Sequence, residues 1–214
     1  MANTKKASPI VVAALLLTLG FLGPLGCGSI KRFFWEPADR DEWQQPDRVV
    51  EMLKLSEGDQ VADLGSGGGY FTYRLAAAVG ETGRVFALDV DASQNAYVAD
   101  QAIERKLPQI IPVHIPEDGV GIPDGSVDMI FLSNVFHHLP DQTKYFRRAG
   151  SALRPGGRVV VVEFRGDGFP PGHATAPEEI RSKLEAAGYT LDASYDFLEK
   201  QSFQIFVRDR ESDG

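Results

Sequence analysis

The residues best suited to chemistry lie in a short stretch where an acid, several glycines and a helix start follow one another. Asp63 closes an apolar run, and Gly65, Gly67 and Gly69 follow it at every second position. Glycine lets the backbone turn tightly and lets a ligand approach without meeting a Cβ. The helix pattern that follows offers N–H groups that have no intrahelical partner. This arrangement predicts a cradle for a nucleotide-like ligand.

The spacing of the glycines separates this cradle from two common nucleotide sites. A dinucleotide fingerprint that began at Gly65 would need its third glycine where Tyr70 stands. The Gly-Lys-Ser/Thr ending of a phosphate-binding P-loop is absent from the stretch. A dehydrogenase is therefore the less favoured enzyme, and NAD binding would identify it. A glycine-rich turn in some other α/β protein is the remaining alternative.

A second acid lies where the ribose of an adenosine ligand would be held. Asp89 ends the apolar run that begins at Val85, and it follows the glycine turn by about 20 residues. One carboxylate can accept hydrogen bonds from both hydroxyls of a 2′,3′-diol. Asp91 competes for the role but lies beyond the strand end. The alternative is that Asp89 is a solvated acid in a turn.

A pair of histidines provides candidates for a general base. His137 and His138 follow an apolar run that ends at Ser133 and Asn134. Open parallel sheets bind ligands at the carboxyl ends of their strands, so Ser133 and Asn134 are predicted ligand contacts. A histidine of near-neutral pKa can accept a proton from a substrate. Alternatively, one histidine packs beneath the ligand and the other bonds the next loop. His173 is a weaker candidate.

Strands alternate with helices along most of the chain, and a terminal hairpin follows them. Apolar runs predict strands near residues 60–64, 84–89, 109–114, 128–133 and 159–164, and a closing pair at 189–198 and 202–208. Between Ala92 and Lys106 we expect a helix with Ala96, Ala99 and Ile103 facing inward. Thr175 and Glu178 predict a capping box for a late helix. This alternation predicts a three-layer α/β sandwich.

Three blocks resemble, in the right order, the motifs of class I S-adenosylmethionine (SAM) methyltransferases. They are the acid–glycine motif from Asp63 to Gly69, the run from Asp124 to Asp141, and the proline–diglycine turn at residues 155–157 before a strand. The resemblance covers roughly residues 44–208. It implies a mostly parallel seven-stranded sheet of order 3-2-1-4-5-7-6 with an antiparallel C-terminal hairpin.

The resemblance also implies SAM as cofactor. In it, the glycines approach the methionine and sugar, Asp63 orients the amino-acid end, and Asp89 binds the ribose. Glu117 and Asp118 are both candidates for the acid beside the adenine amino group, where strict alignment places Pro116. The predicted cofactor-binding residues are Asp63, Gly65, Ser66, Gly67, Gly69, Asp89, Val90, Glu117, Asp118, Ser133 and Asn134. No metal site is predicted, and a single cysteine excludes a cysteine-based zinc cluster.

The expected function is methyl transfer to a small acceptor by in-line displacement. An anchored enzyme would suit a lipophilic acceptor such as a quinone precursor. The alternative is a membrane-tethered protein that binds SAM or S-adenosylhomocysteine (SAH) without turnover. A net charge of −8 argues against a nucleic-acid partner. Nothing in the sequence indicates an oligomeric state.

The first 30 residues resemble an export signal or membrane anchor. Lys5 and Lys6 precede an apolar run that extends from residue 10 to 22, and Cys27 follows a small residue. This pattern resembles a bacterial lipoprotein signal with Cys27 lipidated, although Pro24 stands where leucine is usual. An uncleaved anchor with a cytosol-facing domain is the alternative. We expect residues 31–46 to form a linker or cover, 47–208 the methyltransferase domain, and 209–214 a polar tail.

Overall fold

The computed structural model describes residues 39–165 and 172–208. The predictions for residues 1–30 and 209–214, and for residues 31–38 of the 31–46 segment, lie outside these ranges. No helix in the described ranges is long and apolar enough to cross a membrane. In chain order the elements are α1 (Arg40–Gln44), α2 (Pro46–Met52), β1 (Gln60–Leu64), α3 (Thr72–Val79), β2 (Arg84–Asp89), α4 (Ala92–Glu104), β3 (Ile110–His114), β4 (Val127–Ser133), α5 (Gln142–Ala149), β5 (Leu153–Phe164), α6 (Pro177–Ala186), β6 (Tyr189–Tyr195) and β7 (Gln201–Arg208).

The strands form one seven-stranded sheet in the order β3-β2-β1-β4-β5-β7-β6. Strands β1 to β5 run parallel to one another, and β7 is antiparallel to both β5 and β6. The predicted fold class and strand order are confirmed. The sheet order reverses between β1 and β4, and such a switch point opens a crevice at the carboxyl ends of the strands.

Helices cover both faces of the sheet, which makes the molecule a three-layer sandwich. On one face α2, α3 and α4 pack through residues such as Val49, Leu75 and Val98. On the other face α5 and α6 pack through residues such as Phe146 and Leu184. Because both faces are covered, the central strands are apolar on both sides, as buried parallel strands are.

Two local predictions differ from the structure. The inner face of α4 is formed by residues that include Val98 and Ala102, whereas Ile103 is 78% exposed. A second difference concerns α6, which begins at Pro177 with Ala176 as its N-cap and no side-chain cap bond. The backbone N–H of Thr175 instead donates to the carbonyl of Phe164. Tertiary contacts therefore override the local pattern at both places.

Candidate active site

The glycine turn that follows β1 folds back on the end of β2. The backbone N–H groups of Gly65 and Ser66 both donate to the carbonyl of Leu88, at 2.8 and 3.1 Å. Gly65, Gly67 and Gly69 have φ values of 70°, 52° and 88°. Other residues rarely adopt this left-handed region, so the sequence of alternating glycines produces the observed turn.

The glycines differ in what a side chain would meet. A Cβ on Gly65 would lie 2.3 Å from Cγ2 of Val135, which follows β4, and one on Gly69 would lie 2.5 Å from the ring of Tyr73. A Cβ on Gly67 would meet nothing within 4 Å. Gly65 is therefore required by packing between β1 and β4, while Gly67 faces open space where a ligand can approach.

Asp89 ends β2 with its carboxylate directed at the glycine turn. Its Oδ2 accepts a hydrogen bond from Gly67 N–H at 2.8 Å, and its Oδ1 accepts one from Asp91 N–H at 2.8 Å. Each carboxylate oxygen has a further lone pair, so both can still accept hydroxyl groups. The side-chain amide of Asn95 donates to the Asp89 carbonyl and holds the strand end against α4.

Asp63 is buried at the end of β1, with 3% of its surface exposed. Desolvation raises the pKa of Asp63 to about 7, although a 2.6 Å hydrogen bond from Thr72 Oγ1 and the charge of Arg40 oppose the rise. A cationic group bound beside Asp63 would favour its ionised form. The α-amino group of SAM is such a group.

Two further residues fit an adenosine ligand at this edge of the sheet. Ser66 is buried, and its hydroxyl has no hydrogen-bond partner within the described residues. Val90 is 51% exposed, which is unusual for a large apolar side chain here. The Ser66 hydroxyl can bond a polar group of a ligand, and Val90 can pack against its aromatic base.

Helix α1 lies over the crevice and is bonded to both of its sides. Gln44, which is fully buried, donates from Nε2 to Ser133 Oγ at 2.9 Å. Tyr70 donates to Asp41 Oδ1 at 2.6 Å, and Arg74 forms an ion pair with Asp41. The part of the predicted cover segment that the structure describes therefore contacts both the glycine turn and the end of β4.

Asn134 directly follows β4 and has a φ of 57°. Its backbone N–H donates to the Val162 carbonyl on β5, and its side-chain Oδ1 accepts from Gln201 Nε2 at 2.6 Å. These bonds hold the β4 end against β5 and β7. Ser133 and Asn134 thus lie at the crevice, as the sequence predicted, and their direct contact with a cofactor stays a prediction.

The two acids proposed for the adenine end lie in the loop after β3. The side chain of Asp118 forms a 3.0 Å ion pair with Arg148 on α5, and Glu117 is exposed. Both side chains are exposed, whereas Asp63 is buried. Their role at the adenine amino group stays a prediction.

The histidines predicted as general bases lie together in and beside a short 3-10 turn, Phe136–His138, that follows β4. His137 Nδ1 lies 3.0 Å from Oε1 of Glu163, and His137 Nε2 lies 3.3 Å from Nδ1 of His173. His138 completes the group, with ring centroids 4.0 Å from His137 and 5.4 Å from His173. Burial and the neighbouring histidines lower the pKa of His138.

Glu163 is the main functional candidate that the sequence prediction did not include. It lies near the carboxyl end of β5, is fully buried, and accepts from His137 as well as from the Phe164 N–H. A charged residue inside the run from Val159 to Phe164 is the signal that would have identified it, because a fully buried acid needs a partner. Thr72 and Gln201 were also missed, and no sequence signal distinguishes them.

Comparison with known proteins agrees with this geometry. A family profile described as a methyltransferase domain matches residues 62–161, the part of the chain from β1 to β5. The 27-O-demethylrifamycin SV methyltransferase of Amycolatopsis mediterranei (strain S699) is 29% identical over 136 residues, which are 63% of this chain and 49% of that protein. The ubiquinone/menaquinone biosynthesis C-methyltransferase UbiE of Cellvibrio japonicus (strain Ueda107) is 28% identical over 117 residues, or 54% and 47%. The chain spans about half the length of these curated relatives.

Solved structures show the same fold. A SAM-dependent methyltransferase from Aquifex aeolicus has a TM-score of 0.78 at 24% identity, with 83% of this chain and 97% of that chain covered. The [4+2]-cyclase SpnF has a TM-score of 0.67 at 18% identity, with 78% and 80% covered. The matching profile, the sheet order and the acid–glycine site together identify this part of the chain: residues 62–161 form a methyltransferase domain.

Proposed function

We propose that this protein transfers a methyl group from SAM to a small acceptor. The observation that carries the proposal is the hydrogen bond from Gly67 N–H to Asp89 Oδ2, at 2.8 Å. This bond brings the predicted sugar-binding carboxylate against the predicted glycine cradle at the switch point of the sheet. The family's cofactor has a sugar diol and an amino-acid end that match these groups.

Each residue of the crevice has a role that its position supports. Asp63 holds the amino-acid end through its buried carboxylate, directly or through water. Gly65, Ser66, Gly67 and Gly69 let the cofactor approach the backbone, and Asp89 accepts hydrogen bonds from the ribose hydroxyls. Val90 offers an apolar surface beside the base. SAM supplies a methyl group on a positively charged sulfur, which departs as a neutral thioether and needs no acid.

The main contribution of the protein to catalysis is then to align the acceptor atom with the methyl group of SAM. Holding the acceptor atom and the methyl carbon in line can lower the barrier by about 7–11 kcal/mol. His137 and His138 follow Val135, whose side chain lies against Gly65, so the histidines and the glycine turn share one edge of the sheet. We propose that these histidines face the acceptor and assist the loss of its proton.

The acceptor that we propose is small and lipophilic. The two relatives described above are named for methylation of 27-O-demethylrifamycin SV and for ubiquinone/menaquinone biosynthesis. In this chain Trp43 on α1 lies 5.5 Å from the ring of Phe164, beside Glu163. These rings offer an aromatic surface next to the histidine group. A quinone precursor would pack against this aromatic surface. As a lipophilic molecule, it would also be accessible to an enzyme that is tethered to a membrane.

We further propose that residues 1–30 tether the protein to a membrane, with Cys27 as the lipidated residue. The support is the sequence pattern of two lysines, an apolar run and a lone cysteine. An anchor helix with the domain in the cytosol, where SAM is made, is the alternative topology. A tether raises the local concentration of a lipophilic acceptor.

A binding protein without turnover is the second candidate function. The likeness to a [4+2]-cyclase shows only that proteins of this fold are not all named for methyl transfer. Retention of both predicted acids and all glycines of the cradle favours the enzyme. Titration and turnover separate the two candidates.

The test uses the full chain in detergent, titrated with SAM and SAH by calorimetry and then assayed for transfer of labelled methyl groups to a membrane lipid extract. We expect binding of both ligands and labelled lipid product. Binding without labelled product would support the second candidate, and failure to bind SAM or SAH would contradict both.

Asp89→Ala should weaken SAM binding by more than about tenfold, because a carboxylate that bonds two hydroxyls contributes charge-assisted hydrogen bonds. Asp91→Ala is the matched control, since it removes a nearby acid and keeps the backbone N–H that donates to Asp89. The control should bind SAM with near wild-type affinity. Unchanged SAM affinity in Asp89→Ala would show that the ribose role is wrong.

A further inference from the structure

Three of the four histidines of the chain meet at one point beside the proposed transfer site. His137 and His138 come from the 3-10 turn after β4, and His173 lies shortly before α6. One nitrogen from each of these side chains lies within 4.8 Å of the others. Residues 36 positions apart in the sequence are thus brought together by the fold.

One of the distances between these nitrogens matches that of a metal site. Zinc binds histidine nitrogens at about 2.0–2.1 Å in tetrahedral geometry, which places two nitrogens about 3.3–3.4 Å apart. His137 Nε2 and His173 Nδ1 lie 3.3 Å apart. The third ring, His138, is exposed, so rotation of its side chain can bring its nitrogen closer.

A buried carboxylate supports the first of these ligands. Glu163 is fully buried, and its Oε1 lies 3.0 Å from the Nδ1 of His137, which leaves Nε2 as the nitrogen directed at the cluster. Metal-binding histidines commonly donate their other N–H to a carboxylate, which fixes the ring and raises its basicity. The second oxygen of Glu163 has no hydrogen-bond partner among residues 39–165 and 172–208. A nearby divalent cation would compensate this buried charge.

We propose that His137, His138 and His173 bind one divalent transition-metal ion, best matched by Zn²⁺, with Glu163 orienting His137. This site reverses the sequence-based expectation that the protein has no metal site. A chain of hydrogen bonds from His173 through His137 to Glu163 is the competing explanation. It needs two histidines, whereas the metal needs all three, so His138 distinguishes them.

The site also specifies the class of acceptor. Three protein ligands leave one position of a tetrahedral ion open, which is the pattern of catalytic zinc sites. A hydroxyl group of the acceptor, either an alcohol or a phenol, fits this position and ionises at lower pH because the cation stabilises the oxyanion. Its proton leaves to solvent. An oxygen lone pair then forms the O–CH₃ bond, the S–CH₃ bond breaks with its electron pair on sulfur, and the metal keeps its oxidation state.

The role in transfer rests on the proposed function, whereas metal binding can be measured without it. The experiment uses the full chain without a polyhistidine tag, treated with a chelator and then titrated with Co²⁺. Tetrahedral Co²⁺ gives visible absorption bands, and Zn²⁺ displaces it to give an affinity. We expect one Co²⁺ per chain, a tetrahedral spectrum and complete displacement by Zn²⁺.

The variants test each ligand separately. His137→Ala, His138→Ala and His173→Ala should each lower Zn²⁺ affinity at least about tenfold, and Glu163→Gln by about 10–100-fold. His114→Ala removes the remaining histidine, on β3, and should leave Zn²⁺ affinity unchanged. A cooperative urea unfolding transition of each metal-free variant, compared with that of the metal-free wild type, serves as the folding control.

The outcomes separate the two proposals. Metal binding that needs all three histidines, with no SAM binding, would overturn the proposed function and keep the metal site. SAM binding and methyl transfer without stoichiometric Co²⁺ binding would overturn the metal site alone. A His138→Ala variant that binds Zn²⁺ as tightly as the wild type would also overturn it and favour the hydrogen-bonded chain.

Discussion

Asp63 is an acid held in a place that suits its neutral form. It is 3% exposed at the end of β1, and desolvation raises its pKa to about 7 despite the hydrogen bond from Thr72. The free protein therefore contains a carboxyl that is half-ionised near neutral pH. A cationic ligand would complete its ionisation, so ligand binding and proton release should be coupled at this residue.

The raised pKa of Asp63 predicts that the difference in unfolding free energy between the wild type and Asp63→Asn depends on pH. The folded-state pKa is raised above its ordinary value of 3.8, so the contribution of Asp63 to stability is present below about pH 4. It is lost progressively as pH rises from about 4 through about 7, because in this range the folded state keeps a proton that the unfolded state has already released. Three pKa units correspond to a total change of order 4 kcal/mol.

The measurement is urea unfolding of both proteins at pH 5 and pH 8. The unfolding free energy of the wild type should fall relative to that of Asp63→Asn between these values, because asparagine does not titrate. Saturating SAM should reduce the difference if its amino group lies beside Asp63. Parallel pH profiles for the two proteins in the absence of ligand would contradict the raised pKa.

The positions of single residues in the sheet were predictable where a motif surrounds them. Asp63 near the end of β1 and Asp89 at the end of β2 are where the sequence placed them, and their roles toward a cofactor stay predictions. Glu163 was not predicted, because its partner His137 is 26 positions away and only the pairing of β4 with β5 brings them together. The same limit applies to His173, whose relation to His137 depends on the loop between β5 and α6.

In the turn between β1 and α3, Gly65 serves mainly stability and Gly67 serves mainly ligand binding. Gly65 contacts Val135 across the sheet, and Gly67 faces open space. Both have positive φ, so alanine is strained at either position by about 1–2 kcal/mol. Only at Gly65 does the added methyl group also clash with the β4 side of the crevice.

Gly67→Ala should therefore lower SAM affinity more than about tenfold while costing only the backbone strain of about 1–2 kcal/mol in unfolding free energy. Gly65→Ala should destabilise the fold by more than that, because Val135 must move. Calorimetry with SAM and urea unfolding of the two variants would measure these effects. A larger loss of stability in Gly67→Ala than in Gly65→Ala would contradict this division of roles.

For helix α4, the sequence predicted the end of the helix better than it predicted which side of the helix is buried. Helix α4 was predicted to end near Lys106, and it ends at Glu104. Its inner face was assigned wrongly because several alanines allow more than one apolar stripe. Asn95 decides the rotation: its side chain is buried and bonds the carbonyls of Asp89 and Asp91. A polar side chain that organises a helix in this way is invisible to a pattern based on hydrophobicity.

At the scale of the whole molecule, alternation of strands and helices predicted the layers but not the strand order. The order 3-2-1-4-5-7-6 came from the resemblance of three motifs, and the structure confirms it. The profile match covers β1 to β5, whereas α1, α6 and the hairpin lie outside it. Helix α1, which lies over the crevice, and the segment that carries His173 are therefore both outside the matched region.

The proposed tether gives a prediction for the intact protein in cells. The wild type should sediment with membranes and incorporate labelled palmitate, and Cys27→Ser should lose the label, because this is the only cysteine of the chain. Each buried CH₂ of an acyl chain contributes about 0.8 kcal/mol to membrane binding, so the variant should also become easier to extract. Ser29→Ala is the control. A wild type that is membrane-bound but unlabelled would favour the anchor helix.

Strand β7 is the last described strand in the chain, yet it lies inside the sheet between β5 and β6. Strand β6 is therefore synthesised before β7, although it pairs with the rest of the sheet only through β7. Until residues 201–208 have emerged, the β5 edge that carries Glu163 has no partner on that side. A nascent chain stalled before residue 201 should consequently hold an open sheet edge, which makes it a substrate for chaperones.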